Sequence, residues 1–225
     1  MNQAIVEKTR KAIQSISTMD CIKPYYLAGG TALSLQINHR LSEDLDFMRW
    51  QKQKNEKMFV DVKNISAELK AKNHTINFID ILEHNHVTYL IDDDVKLSFY
   101  APEKRAPSIK TVPFLNNIHL LDTGTIASLK MEVLLRRSNF RDYYDLYFIL
   151  KEKTQEEIIV IIDNALKYSG HTLKSKNLMG KLLNHEQFVL DAEFKNLEPK
   201  SPVSAKEIAS FMEKNVKLPF VQRNT

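Results

Sequence analysis

Apolar and polar residues alternate along this chain with two periods. Residues 2–18 carry Ile5, Thr9, Ala12, Ile13 and Ile16 at helical spacing, which predicts an amphipathic helix packed on the domain that follows. Pro24 marks entry to a strand, Tyr25–Ala28, which must end at the pair Gly29-Gly30. A short helix, Ala32–Ile37, and a loop lead to a second strand, Asp44-Leu45-Asp46-Phe47. Strand alternation puts Asp44 and Asp46 on one face and Leu45 and Phe47 on the other. A polar loop, 51–57, precedes a second helix whose apolar stripe is Phe59, Val62, Ile65, Ser66 and Leu69. Three alternating runs follow, Thr75–Leu82, His86–Ile91 and Val95–Tyr100, and Asp92-Asp93-Asp94 supplies the hairpin turn between the last two.

Beyond Tyr100 the period changes. Pro102, Pro107 and Pro113 break residues 101–117 into a connector with a short strand at Ile118–Leu121. Asp122 or Thr123 caps a helix with apolar positions Ile126, Leu129, Val133 and Leu134, expected to run to Arg137. Helical spacing continues through Ile158, Ile161, Ile162, Ala165 and Leu166, then Leu178–Leu183, then Ala205–Val216 beyond Pro199 and Pro202. The expected fold is α+β: a small mixed sheet covered by helices, residues 1–121, followed by a mostly helical region, residues 122–225, that completes the active site.

Composition narrows the setting. One cysteine, Cys21, excludes an intramolecular disulfide framework and points to a reducing cytoplasm. No apolar run approaches the ~20 residues that span a bilayer, so a soluble protein without a membrane partner is expected. A net charge of +4 is compatible with nucleic acid and decides nothing alone. Lys167, Lys174, Lys176 and Lys181, flanked by His171 and His185, form the most basic stretch. With only Tyr168 and Phe188 nearby, it reads as a solvated helical face rather than an RNA-binding segment. His84 and His86 lack a partner at ligand spacing and take structural or solvent roles.

Candidate chemistry gathers at two places. Two of only five glycines are Gly29 and Gly30, where the N–H groups of Gly30 and Thr31 open a helix and can face a phosphate. Two carboxylates side by side, Asp44 and Asp46, repel one another unless a divalent cation, Mg²⁺ or Mn²⁺, is held between them and substrate phosphates. Further on, Lys130 and Arg137 are seven apart and share a helical face, directing two cations at one place. Asp142 and Asp145 are three apart, and Arg141 reaches Asp145 at four. On residues alone this second group reads as a surface salt-bridge ladder.

The run Leu27-Ala28-Gly29-Gly30-Thr31-Ala32-Leu33, with His39-Arg40, Ser42 and Asp44-Leu45-Asp46-Phe47, resembles the first motif of the AbiEii/AbiGii (type IV toxin) group of the DNA polymerase β-like nucleotidyltransferases. Lys130-Met131, Arg136-Arg137 and Arg141-Asp142-Tyr143-Tyr144-Asp145-Leu146-Tyr147 are similar to that family's second block. The resemblance implies transfer of a nucleoside monophosphate from an NTP to an acceptor hydroxyl, the acceptor being RNA and often the tRNA 3′ end. Toxicity to the host cell, abortive infection and a separately encoded antitoxin go with it. It further implies that Asp44 and Asp46 hold the metal, that Gly29, Gly30, Thr31 and Lys130 cradle the phosphates, and that Arg40, Ser42, Arg137 and Arg141 line the nucleotide. Asp142 or Asp145 becomes a second carboxylate source. One departure stands out: the strand beside the Asp-x-Asp pair commonly brings a third carboxylate, and here its polar face carries Lys96 and Ser98. Two rival readings follow, a phosphotransferase that moves the γ phosphate and a non-enzymatic nucleotide- or partner-binding module.

Overall fold

The computed structural model describes residues 4–106, 108–170, 174–189 and 194–217; Pro107 and His171 lie outside them. The chain divides into two units, Met1–Asp122 and Thr123–Thr225.

In the first unit, helix α1 (Glu7–Ile16) buries Thr9, Ala12, Ile13 and Ile16, the stripe expected from its spacing. Strand β1 (Tyr26–Ala28) runs directly into α2 (Gly29–Ile37), so the helix begins at the glycine pair rather than at Ala32. It stops at Asn38 in the left-handed region, φ 49°, a conformation that asparagine tolerates. Strand β2 (Leu45–Met48), α3 (Val62–Ala71), β3 (Ile76–Glu83), β4 (His86–Ile91), β5 (Val95–Tyr100), β6 (Thr111–Leu115) and β7 (Ile118–Leu121) complete the unit. The seven strands form one mixed sheet in the order β3-β4-β5-β2-β1-β7-β6. The pairs β2/β5 and β1/β7 are parallel and the others antiparallel.

Alternation along β2, β4 and β5 decides which face of the sheet is core. Leu45, Phe47, Val87, Tyr89, Ile91, Val95, Leu97 and Phe99 are all buried. Phe99 is the hub: Phe47 stacks on it at 5.3 Å, and Tyr25 and Tyr89 meet it edge-on at 5.3 and 5.9 Å. The Tyr89 hydroxyl donates to the Val62 carbonyl at 3.2 Å, tying α3 to this face.

Two expectations need correction. The proline-broken connector contains a strand, β6, with Pro113 inside it; β6 is a sheet edge, where a residue lacking an N–H is tolerated. And β3 does not bury its apolar residues: Phe78, Ile81 and Leu82 are 56%, 57% and 57% exposed. Its alternation is interrupted by register shifts between Ile76 and Phe78 and between Ile81 and Glu83, and as the opposite edge it has a neighbour on one side only.

The second unit is helical: α4 (Thr123–Val133), α5 (Phe140–Leu150), α6 (Gln155–Tyr168), α7 (Ser175–Leu183) and α8 (Ala205–Met212). Reciprocal capping boxes, Thr154 with Glu157 and Ser204 with Glu207, start α6 and α8. An aromatic cluster packs α5, with Phe194 edge-on to Phe140 and at a steep angle to Tyr144, both at 5.0 Å, and Tyr143 stacked on Phe188 at 3.6 Å. Helix α4 ends at Val133, four residues short of Arg137, so the expected shared helical face of Lys130 and Arg137 does not exist. In the basic stretch Lys167, Lys174 and Lys176 are exposed, while Tyr168 and Phe188 are buried. A solvated face is what remains.

Candidate functional site

Each glycine of the pair makes room for a different side chain. Gly29 has φ +67°, the left-handed region, and a Cβ there would stand 2.5 Å from Asp46 Oδ2. At Gly30 the added atom would stand 2.5 Å from Arg40 Nη2 and 3.2 Å from Ser42 Oγ. The paired glycines therefore let the start of α2 lie directly against the Asp-x-Asp strand and the loop that leads into it. Asp46 is set by register, opposite Ala28 on β1 and Ser98 on β5. Asp44 and Asp46 are partly exposed, whereas Leu45 and Phe47 between and beyond them are 0% and 1% exposed. Both carboxylates thus share the open side of the sheet, as the alternation predicts.

The loop ahead of Asp44 is held from within. Thr31 is buried, and its hydroxyl lies 2.8 Å from Ser42 Oγ and also in hydrogen-bonding contact with the Asp44 carbonyl. Arg40, also buried, donates through Nη1 to the Leu41 carbonyl at 2.8 Å. Ser42 N–H donates to the Ala4 carbonyl at 3.0 Å and its carbonyl accepts from Val6 N–H at 3.1 Å. The Thr9 hydroxyl donates to the Glu43 carbonyl. Thr31, expected at the phosphates, and Arg40 and Ser42, expected to line the nucleotide, therefore turn their side chains into the loop and set its path.

Lys96, on β5, reaches Asp44, with Nζ 3.9 Å from Oδ2 and both side chains nearly half exposed. Ser98 sits opposite Asp46, so no carboxylate arrives from β5. Among the described residues no three of His, Cys, Asp or Glu are grouped to hold a metal ion.

The second block comes together inside the helical unit, and it is no surface ladder. Asp142 and Asp145 are 0% exposed, and Lys130, on α4, is buried with Nζ 2.9 Å from Asp142 Oδ1 and 2.7 Å from Asp145 Oδ2. Arg137 clamps Asp142 from the other side through Nε at 2.8 Å and Nη2 at 3.1 Å. Burial pushes the Asp142 carboxyl up, but the charges of Lys130 and Arg137 and their hydrogen bonds outweigh it and hold it below the usual aspartate range. Arg141 stands partly exposed in the first turn of α5.

Residues 13–217 match the family described as nucleotidyl transferase AbiEii toxin, type IV TA system. The chain belongs to this family. An uncharacterized protein of Aquifex aeolicus, aq_aa25, is 28% identical over 148 residues, 65% of this chain and 67% of that protein. Two Helicobacter pylori crystal structures share the fold at 19% identity. JHP933 has a TM-score of 0.56 over 98% of this chain and 95% of its own. A second H. pylori protein, classed as a nucleotidyltransferase, has a TM-score of 0.57 over 96% of this chain and 93% of its own.

In this AbiEii chain the residues missed by sequence reasoning are those that clamp the loop from outside the motif. Ala4 and Val6 hold Ser42 by backbone bonds alone, which no side-chain pattern announces. Thr9 does carry a signal, a polar residue within an otherwise apolar helical stripe, and its hydroxyl is spent on Glu43.

Proposed function

We propose that this AbiEii protein transfers a nucleoside monophosphate from an NTP to a hydroxyl of an RNA acceptor, with pyrophosphate leaving, and that the tRNA 3′ end is the form the acceptor takes. The observation that carries this reading is the placement of Asp44 and Asp46 together on the open side of the sheet, beside the bare backbone of Gly29 and Gly30. Two carboxylates without a third suit Mg²⁺ or Mn²⁺, which keeps several waters and takes its remaining ligands from substrate phosphates. Asp44 and Asp46 would hold such a cation, which would supply neutralisation of the triphosphate charge and a lower cost of forming the attacking alkoxide.

The chain's own residues do the rest by position. The N–H groups of Gly30 and Thr31 at the start of α2 face the triphosphate with the positive end of the helix dipole. Thr31, Arg40 and Ser42 keep Asp44 aimed by holding the loop. Within the helical unit, Asp142 and Asp145 fix Lys130 in place while Arg137 covers Asp142, so the second block acts first as a brace between α4 and α5.

Type IV membership supports growth arrest of the host cell as the outcome and a separately encoded antitoxin as the counterpart. Incubation of the purified protein with each NTP radiolabelled at the α phosphate, Mg²⁺ and total RNA is the test. Label on RNA is expected. Release of NDP without labelled RNA selects a phosphotransferase. No turnover selects a binding module, the reading that Ser98 favours by standing where a third carboxylate is common.

A further inference from the structure

Strand register lays three rows of side chains across the open face of β3, β4, β5 and β2. The middle row is polar: Asp80 stands opposite Thr88, Thr88 opposite Ser98, and Ser98 opposite Asp46. On one side of it Phe78 stands opposite Leu90 and Leu90 opposite Lys96. On the other His86 stands opposite Tyr100 and Tyr100 opposite Met48. All of these are partly or fully exposed, while the residues that alternate with them along β4 and β5 are buried. The His86 and Tyr100 rings meet at 5.1 Å with a 54° tilt, and Phe78 is 56% exposed. Strands lie about 4.8 Å apart, so the polar row extends about 14 Å from Asp46 to Asp80.

We propose that the single-stranded end of the RNA acceptor lies across this face, running from Phe78 toward Asp46, with bases stacked on Phe78 and Tyr100. The proposal rests on the nucleotidyltransferase reading above and adds the surface that receives the acceptor. Aromatic side chains on an open sheet are stacking platforms for unpaired bases. The row between them, Ser98, Thr88 and Asp80, offers hydroxyls and a carboxylate that accept hydrogen bonds from exocyclic amino groups.

Charge sets the orientation of the strand. Asp44, Asp46 and Asp80 outnumber Lys96 on this face, so a phosphate backbone is repelled from its centre and the bases, not the phosphates, face the sheet. Lys96 is the exception at the Asp-x-Asp end. Its contact with Asp44 is long, 3.9 Å, and half exposed, so it is held weakly. Lys96 would be free to turn to a neighbouring phosphate if Asp44 held a cation instead.

The test is binding of a short, unstructured, fluorescently labelled RNA to the full-length protein by anisotropy, without NTP. Phe78→Ala and Tyr100→Ala should each weaken binding roughly tenfold, the worth of one stacked base. Phe59→Ala, an aromatic 52% exposed outside this face, should leave binding unchanged. Melting curves accompany each variant; if Tyr100→Ala unfolds, Phe78→Ala on the exposed edge strand decides alone. Wild-type affinity in Phe78→Ala overturns the proposal, as does a wild-type protein that binds no single-stranded RNA. Concentration-dependent dimerisation that Phe78→Ala abolishes, seen by sedimentation in a protein that ignores RNA, assigns the face to a second copy and overturns it too. In the transfer assay Phe78→Ala should raise KM for RNA and leave KM for NTP. Labelled RNA with an unchanged KM sinks the acceptor face and spares the activity; RNA bound through Phe78 without any labelling sinks the activity and spares the face.

Discussion

Asp46 rests its carboxylate where the side chain of residue 29 would be: a Cβ on Gly29 would stand 2.5 Å from Oδ2. Gly29→Ala therefore meets two costs, a left-handed φ of +67° and a collision with a proposed metal ligand. The backbone cost is about 1–2 kcal/mol. The displacement of Asp46 should cost transfer roughly a hundredfold. Comparing melting temperature with the rate of RNA labelling checks that the second loss far exceeds the first.

Asp44→Asn and Asp46→Asn should each abolish transfer and leave the melting temperature equal or higher, because one of two neighbouring like charges is removed. The exposed contact of Asp44 with Lys96 contributes little to stability. A marked drop in melting temperature in either variant would place the pair in the folding core instead.

Lys130→Ala should destabilise the helical unit by about 3–5 kcal/mol, since it leaves two fully buried carboxylates without their shared cation. Urea denaturation measures this. A variant that unfolds at the wild-type urea concentration yet has lost turnover would assign Lys130 to the triphosphate and not to the brace.

Asp142 gives this unit an acid limb. Its folded carboxyl is held below the ordinary aspartate value of about 3.9. The stability it contributes is then complete above that ordinary value and lost as pH falls through the lower, folded one. Melting followed from pH 6 down to pH 2 should show a fall concentrated below about pH 4, and Asp142→Asn, less stable throughout, should lack this part of the fall.

Cys21 should be a poor nucleophile. Burial, followed by the negative charge of Glu68, pushes its thiol up to about 12. Since the thiolate is the reactive form, alkylation by iodoacetamide near neutral pH should be slow in the folded protein and rise sharply on denaturation. Equal rates in the two states would contradict a thiol held up by partial burial.

The fold class and most strands were legible because burial on one face of a sheet writes itself as alternation: β2, β4 and β5 repeat it cleanly. Strand β6 was hidden by Pro113, since a proline argues against a strand unless the strand is known to be an edge, and edge position belongs to topology. The exposure of Phe78 was hidden for the same reason, because alternation tells which face a residue points to but not whether anything covers that face. At the candidate site, Asp44, Asp46 and the glycine pair could be read from spacing. The direction of Thr31, Arg40 and Ser42 could not, because a buried hydroxyl holding a loop and an exposed one holding a phosphate use the same residue. Lys130, Asp142 and Asp145 were identifiable as partners, while their burial depended on the packing of α4 against α5.

The backbone bonds from Ala4 and Val6 to Ser42 place the amino end of the chain two residues from Asp44. Purification handles are commonly fused at that end. A bulky fusion ahead of Ala4 pulls on the same two bonds that help aim the carboxylate pair, whereas a handle at the other terminus is joined to neither Ala4 nor Val6. Assays of this protein should therefore compare the two arrangements before a weak activity is blamed on the sequence.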